Sequence, residues 1–179
     1  MATIVLGICG SIAAYKAADI ASALVKHGHC VHCVCTPTAL RFVTPLTLMT
    51  LSRQPVISAF EEETTDWVPA HIDLAQKADV LAIAPASAHT MACMAHGLAP
   101  NVLTSLYLAC TAPTLVFPAM NTHMWEHPAT QQNARTLTER GCRIIGPAED
   151  GALACGAVGK GRLLPVEQIV QEITAALQK

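Results

Sequence analysis

Thr3-Ile4-Val5-Leu6-Gly7-Ile8-Cys9-Gly10-Ser11-Ile12 begins as an aliphatic run and ends on a glycine and a serine. The run reads as a buried strand, and Gly10-Ser11 as the turn out of it. From Ile12 to Lys26, apolar residues recur at helical spacing (Ala17, Ile20, Ala21, Leu24), and Gly28 supplies a stop. A second apolar run, Cys30–Cys35, then completes a strand–helix–strand unit. Such a unit implies parallel strands joined by a right-handed crossover, with helices on both faces of the sheet.

The same alternation continues down the chain. Further strands are expected at Val80–Ala84, Thr114–Phe117 and Arg143–Ile145. Helices are expected at Thr38–Ser52, His71–Lys77, Ala88–Ala95, Asn101–Ala109, Pro128–Arg140 and Pro165–Leu177. Repeats, low-complexity tracts and a linker are not evident, so residues 1–179 read as a single α/β domain with a three-layer arrangement. The charged segment Glu61–Asp66 reads as an exposed loop.

Hydrophobic residues make up 52% of the chain and charged ones 13%, too few charges to cover an ordinary solvated surface. No Asp, Glu, Lys or Arg occurs between Val80 and Trp125. A membrane span needs about 20 uninterrupted apolar residues; Pro85, Ser87, His89, Gly97, Pro100, Asn101 and Pro113 break this stretch too often. Core elements plus a subunit interface explain it better, because obligate interfaces resemble a core cut in half. The expectation is a homo-oligomer. Without a basic n-region, and with Gly7 in its apolar run, the amino terminus reads as a first strand rather than a signal peptide. Eight cysteines in a chain with this much apolar core read as reduced thiols of a cytoplasmic protein. A net charge of −2 with no basic stripe gives no support for nucleic-acid binding.

The turn at Gly10-Ser11-Ile12 suits an anion at a helix amino terminus, although any tight strand-to-helix turn favours Gly and an N-cap Ser. A dinucleotide site usually carries an acidic residue after the second strand, where this chain has Cys35-Thr36-Pro37. NAD is therefore disfavoured, and a phosphate-bearing mononucleotide such as FMN fits better, with Thr36 as a candidate donor or a simple turn residue. The run His27-Gly28-His29-Cys30-Val31-His32-Cys33-Val34-Cys35 invites a metal reading. Strand alternation sends Cys30 and His32 to one face and Cys33 and Cys35 to the other, so no metal site is expected.

Two later segments bear on chemistry. Pro118-Ala119-Met120-Asn121-Thr122-His123-Met124-Trp125 follows the Thr114–Phe117 strand, at the end where open α/β sheets bind ligands. Ala154-Cys155-Gly156-Ala157-Val158-Gly159-Lys160-Gly161-Arg162 places one thiol in a glycine-rich stretch that suits a mobile flap. Bland readings stand beside these: Asn121 as an N-cap, Cys155 as a packing thiol, and Lys160 and Arg162 as solvated charges.

Taken together, these residues resemble the flavin-dependent cysteine decarboxylases, and most nearly the branch that serves coenzyme A biosynthesis. The Gly-Ser turn, Thr36-Pro37 with Phe42, His71-Ile72-Asp73-Leu74, Pro85-Ala86-Ser87-Ala88, the Asn121 motif and the Cys155 loop carry the likeness across nearly the whole chain. The resemblance implies a Rossmann- or flavodoxin-like fold, FMN, and trimers or dodecamers with the active site between subunits. It implies 4′-phosphopantothenoylcysteine as substrate and 4′-phosphopantetheine as product. His71 and Cys155 would be catalytic, and Asn121, Met120, Ala154 and Arg162 would contact substrate. Gly10, Ser11, Ile12, Thr36, Phe42, Pro85, Ala86, Ser87, Ser105 and Met120 would hold the cofactor. Part of the family has Asn where this chain has His89, which is left unassigned. In many bacteria the domain is fused to a synthetase. This chain resembles the stand-alone form, for which a separate synthetase is a candidate partner.

The implied chemistry is coherent. Decarboxylating an N-acylated cysteine leaves electrons on a carbon without a sink. Oxidising its CH₂–SH to a thioaldehyde places a C=S group β to the carboxylate, and the flavin is suited to that redox step. His71 would serve the oxidative half as a base, or be merely a helix-start histidine. Asn121 would grip the carboxylate, and Cys155 would return a proton as the enethiol is reduced. A peptidyl-cysteine decarboxylase of lantibiotic type and a non-catalytic regulator on the same fold are the alternatives. The Cys155 loop weighs against the first, and the joint presence of His71, Asn121 and Cys155 against the second.

Overall fold

The computed structural model describes residues 1–60, 69–149 and 159–178. Five parallel strands form one sheet: β1 (Thr3–Ile8), β2 (Cys30–Cys35), β3 (Val80–Ala86), β4 (Thr114–Pro118) and β5 (Arg143–Ile144). Their order across the sheet is β2-β1-β3-β4-β5, the flavodoxin-like arrangement. Leu6 lies opposite Cys33 on one side and Ala82 on the other, and the β3–β4 register shifts between Ile83 and Ala86. Every expected strand is present within two residues of its expected ends.

Eight α-helices occur among the described residues: α1 (Lys16–Lys26), α2 (Pro45–Ser52), α3 (Ala70–Lys77), α4 (Ala88–His96), α5 (Val102–Ala109), α6 (Thr122–Glu126), α7 (Pro128–Glu139) and α8 (Val166–Ala176). Strand alternation sends successive side chains into two separate layers. Ile4, Leu6 and Ile8 join Leu115 and Phe117 beneath α1 and α8, where Ile20, Leu24, Ile169 and Ile173 are buried. Val5, Ile83 and Val116 point the other way, onto Met91 of α4, Leu103 and Leu106 of α5 and Leu137 of α7. Gly7 belongs to the second face. A Cβ there would lie 2.7 Å from a Leu103 methyl, so the missing side chain lets α5 settle against the sheet.

Two helical expectations need correction. Thr38–Ser52 is not one helix: a 3₁₀ turn at Ala39–Arg41 is followed by a break before α2. Thr44 caps α2 by accepting a hydrogen bond from the Thr47 N–H at 3.3 Å, and Pro45 occupies the first helical position. That combination starts a helix and cannot continue one. Helix α6 has no counterpart among the expected helices beyond the N-cap reading of Asn121. It begins at the Asn121 cap and ends at His127, which Pro128 forces out of the helical region. Glu61–Asp66, expected as a loop, lies outside the described residues.

The alternation expected in β2 is present. The Cys30 sulfur lies 3.4 Å from His32 Nε2, while Cys33 and Cys35 are buried in the opposite layer. Burial lifts the Cys33 thiol to about 12, which keeps it protonated and unreactive at neutral pH. The outer edge of β2 is covered locally by Ile57, whose N–H donates to Cys33 O and whose carbonyl accepts from Cys35 N. At the other margin β5 offers two residues. No helix among the described residues is long and apolar enough to cross a membrane.

Candidate active site

Strand order places β2 on one side of β1 and β3 on the other, so the connections leaving their carboxyl ends diverge and leave a crevice. A cleft of about 340 Å³ occupies it. Three strand-to-helix loops and one later segment form its walls. Gly10, Ser11 and Ile12 come from the loop after β1, Ser87 from that after β3, Met120 and Asn121 from that after β4, and Arg162 from the segment before α8.

Short polar side chains at helix starts shape each wall. Ser11 accepts from the Ala13 N–H at 3.3 Å and donates to the Ala119 carbonyl at 3.4 Å, tying the first loop to the third. Ser87 caps α4 through the Thr90 N–H at 3.2 Å, and Asn121 caps α6 through the His123 N–H at 2.9 Å. Backbone bonds join the loops beneath: Cys9 N to Pro85 O, Ala119 N to Ala86 O and Met120 N to Gly161 O. The floor is therefore held by main-chain hydrogen bonds.

Glycine positions show how closely the segments approach. A Cβ on Gly161 would collide with the Met120 carbonyl oxygen, and φ there is +143°. On Gly10 it would lie 2.5 Å from Thr38 Cγ2. The space above Gly10 is thus filled by a neighbouring loop. The preceding residue, Cys9, is fully buried. Burial raises its thiol, and hydrogen bonds with Thr90 and Ser87 offset only part of that rise.

Of the residues singled out from sequence, Gly10, Ser11, Ile12, Ser87, Met120, Asn121 and Arg162 meet around the cleft. The remaining described candidates do not line it. Pro85 and Ala86 are buried at the end of β3, with their carbonyls engaged as described. Thr36 is buried at the end of β2, and its hydroxyl has no hydrogen-bond partner among the described residues. An orphan hydroxyl of this kind is the group a phosphorylated cofactor could satisfy. Phe42 is 43% exposed beside α2, and Ser105 lies on α5. His71 opens α3, half-buried, with the Phe60 ring edge-on at 5.6 Å. Ala154 and Cys155 lie outside the described residues. Lys160 forms an exposed ion pair with Glu149 at 3.7 Å, as a solvated charge would. Sequence reasoning left out Met124 and Gly161 as cleft residues, although both stood in motifs already singled out.

Comparison with known proteins agrees with this geometry. A protein-family model described as Flavoprotein matches residues 1–178. The chain belongs to the Flavoprotein family. Within it, the chain is 46% identical to a probable phosphopantothenoylcysteine decarboxylase of Streptococcus mutans, over 97% of this chain and 98% of that protein. It is similar to a solved PPC decarboxylase mutant complexed with pantothenoylaminoethenethiol, at a TM-score of 0.88, 32% identity and 99% of both chains. Another similar structure is that of the FMN-dependent cysteine decarboxylase SpaF, with a TM-score of 0.85, 30% identity, and 99% and 96% of the two chains. Other similar proteins are longer: the chain spans 41% of the coenzyme A biosynthesis bifunctional protein CoaBC of Bacillus subtilis, to which it is 45% identical over 94% of this chain.

Proposed function

We propose that this protein is an FMN-dependent carboxy-lyase that converts 4′-phosphopantothenoylcysteine to 4′-phosphopantetheine in coenzyme A biosynthesis. The observation that carries the reading is the convergence of Ser11, Ser87, Asn121 and Arg162 on one cleft at the sheet's switch point. When bound, FMN supplies the two-electron oxidation and re-reduction at the substrate's sulfur-bearing carbon. Gly10, Ser11, Ser87 and the orphan hydroxyl of Thr36 are the groups assigned to hold it.

Asn121 holds the substrate carboxylate. Its Oδ1 is pinned by the His123 N–H, which fixes the amide plane and makes Nδ2 the donating end. Arg162, exposed on the cleft wall, meets the substrate's phosphate. His71 acts as the base of the oxidative half. It lies outside the cleft of one chain, so it reaches the substrate across a contact between copies. The exposed apolar residues Ile12 (59%) and Leu46 (67%) offer such a contact, in a trimer or a dodecamer. Cys155 donates the proton as the enethiol is reduced, to the carbon that has lost CO₂. The bifunctional relatives point to a synthetase as partner, and free thiols suit a cytoplasmic setting.

Incubation with phosphopantothenoylcysteine tests the reading: the product should have lost CO₂ with no net oxidation, by mass. The Cys155→Ser enzyme should still release CO₂ but stop at the enethiol, with its flavin left reduced. Normal product yield from that variant would refute the role of Cys155. A colourless protein unable to take up FMN would refute the whole proposal.

A further inference from the structure

At the opposite edge of the sheet lies a second cavity, of about 540 Å³, between the carboxyl ends of α5 and α7 and the start of β4. Among its lining residues Arg140 carries the one formal charge. Arg140 Nη1 donates to the Ala95 carbonyl at 2.7 Å, and no carboxylate among the described residues pairs with the guanidinium. A guanidinium has five N–H donors in a flat fork, so most of this one remains unspent. Beside it, the Tyr107 hydroxyl has among the described residues only the weak partner Cys142 Sγ, at 3.5 Å. Met94, Leu108 and Pro113 provide apolar wall.

From this we infer a second ligand site, for a small, singly charged organic carboxylate with a compact apolar body. Arg140 grips both carboxylate oxygens, Tyr107 turns its hydroxyl from Cys142 to the ligand, and the aliphatic part lies against Met94 and Leu108. One positive charge matches one negative charge. The carboxyl ends of α5 and α7 carry partial negative charge, which disfavours a doubly charged phosphate monoester. With one charge-assisted contact and little apolar area, affinity should be on the order of 1 mM.

The test is a methyl NMR titration of the FMN-loaded protein, labelled at the methionine methyls, with isovalerate and separately with inorganic phosphate. Isovalerate should shift the Met94 signal saturably and leave those of Met120 and Met124, at the cleft, in place. Phosphate should bind more weakly. Arg140→Gln should weaken the isovalerate response by about 10- to 100-fold. If that variant fails to fold, Arg140→Lys keeps the charge and a donor for Ala95, and should still lose most of the affinity. An unmoved Met94 signal, phosphate binding as tightly as isovalerate, or a wild-type response from the variant that folds would each overturn the inference.

Discussion

The two edges of the sheet use glycine for different reasons. At the carboxyl edge, Gly10 and Gly161 are required because other chain segments occupy the space a Cβ would need. At the amino edge, Gly141 has φ of +90° with nothing within 4 Å of a built Cβ, so chain reversal after a helix is what requires it. Polar groups divide in the same way. Ser11, Ser87 and Asn121 cap helix starts on one edge, while Arg140 answers a helix-end carbonyl on the other. The crowded edge is where three loops must meet to make a site; the open edge only turns the chain around.

The sharpest way to break that contrast is at the cap that also faces the cleft. Asn121→Asp preserves an N-cap acceptor but sets a negative charge where a carboxylate should bind. Turnover should fall by on the order of 100-fold or more, while visible absorption shows the flavin retained. Near-normal activity would sink the assignment of Asn121. Next in size is a pair of alanines compared by urea denaturation. Gly161→Ala meets both a carbonyl oxygen and an unfavourable φ, and should destabilise by about 2–4 kcal/mol. Gly141→Ala meets only the φ penalty and should lose about 1–2 kcal/mol. Equal losses would mean that crowding is not what distinguishes the two edges. The smallest effect concerns the orphan hydroxyl. Thr36→Val should stabilise the flavin-free protein by about 1 kcal/mol and weaken FMN uptake, followed by thermal melts and flavin fluorescence. A flavin-free variant no more stable than its parent would show that the hydroxyl is already satisfied.

Strands β1, β3 and β4 were legible because each is apolar on both faces and bounded by turn residues. The break before α2 was equally visible in Thr44-Pro45, but a continuous apolar pattern from Thr38 to Ser52 masked it. Helix α6 was hidden by its length, since five residues are too few to show a period. Within the site, residues acting through their own loop could be read locally: Ser11, Ser87 and Asn121 are caps as well as cleft groups. Residues recruited by long-range packing could not. Nothing near Gly10 in sequence announces Thr38, and nothing near Gly161 announces the Met120 carbonyl. His71 and Thr36 differ again, because their assigned partners are a neighbouring copy and a cofactor, neither of which a local pattern describes.

Ile57 on the flank of β2 and the brevity of β5 bear on how copies of this chain can meet. Unprotected strand margins invite addition of a foreign strand, and here one margin is already bridged while the other exposes little ladder. Strand addition is disfavoured at both margins, which directs any contact between copies to side chains on the helical layers. Growth of a fibril by strand addition would first have to peel the Ile57 segment away from β2, which makes that short tether a safeguard against misassembly.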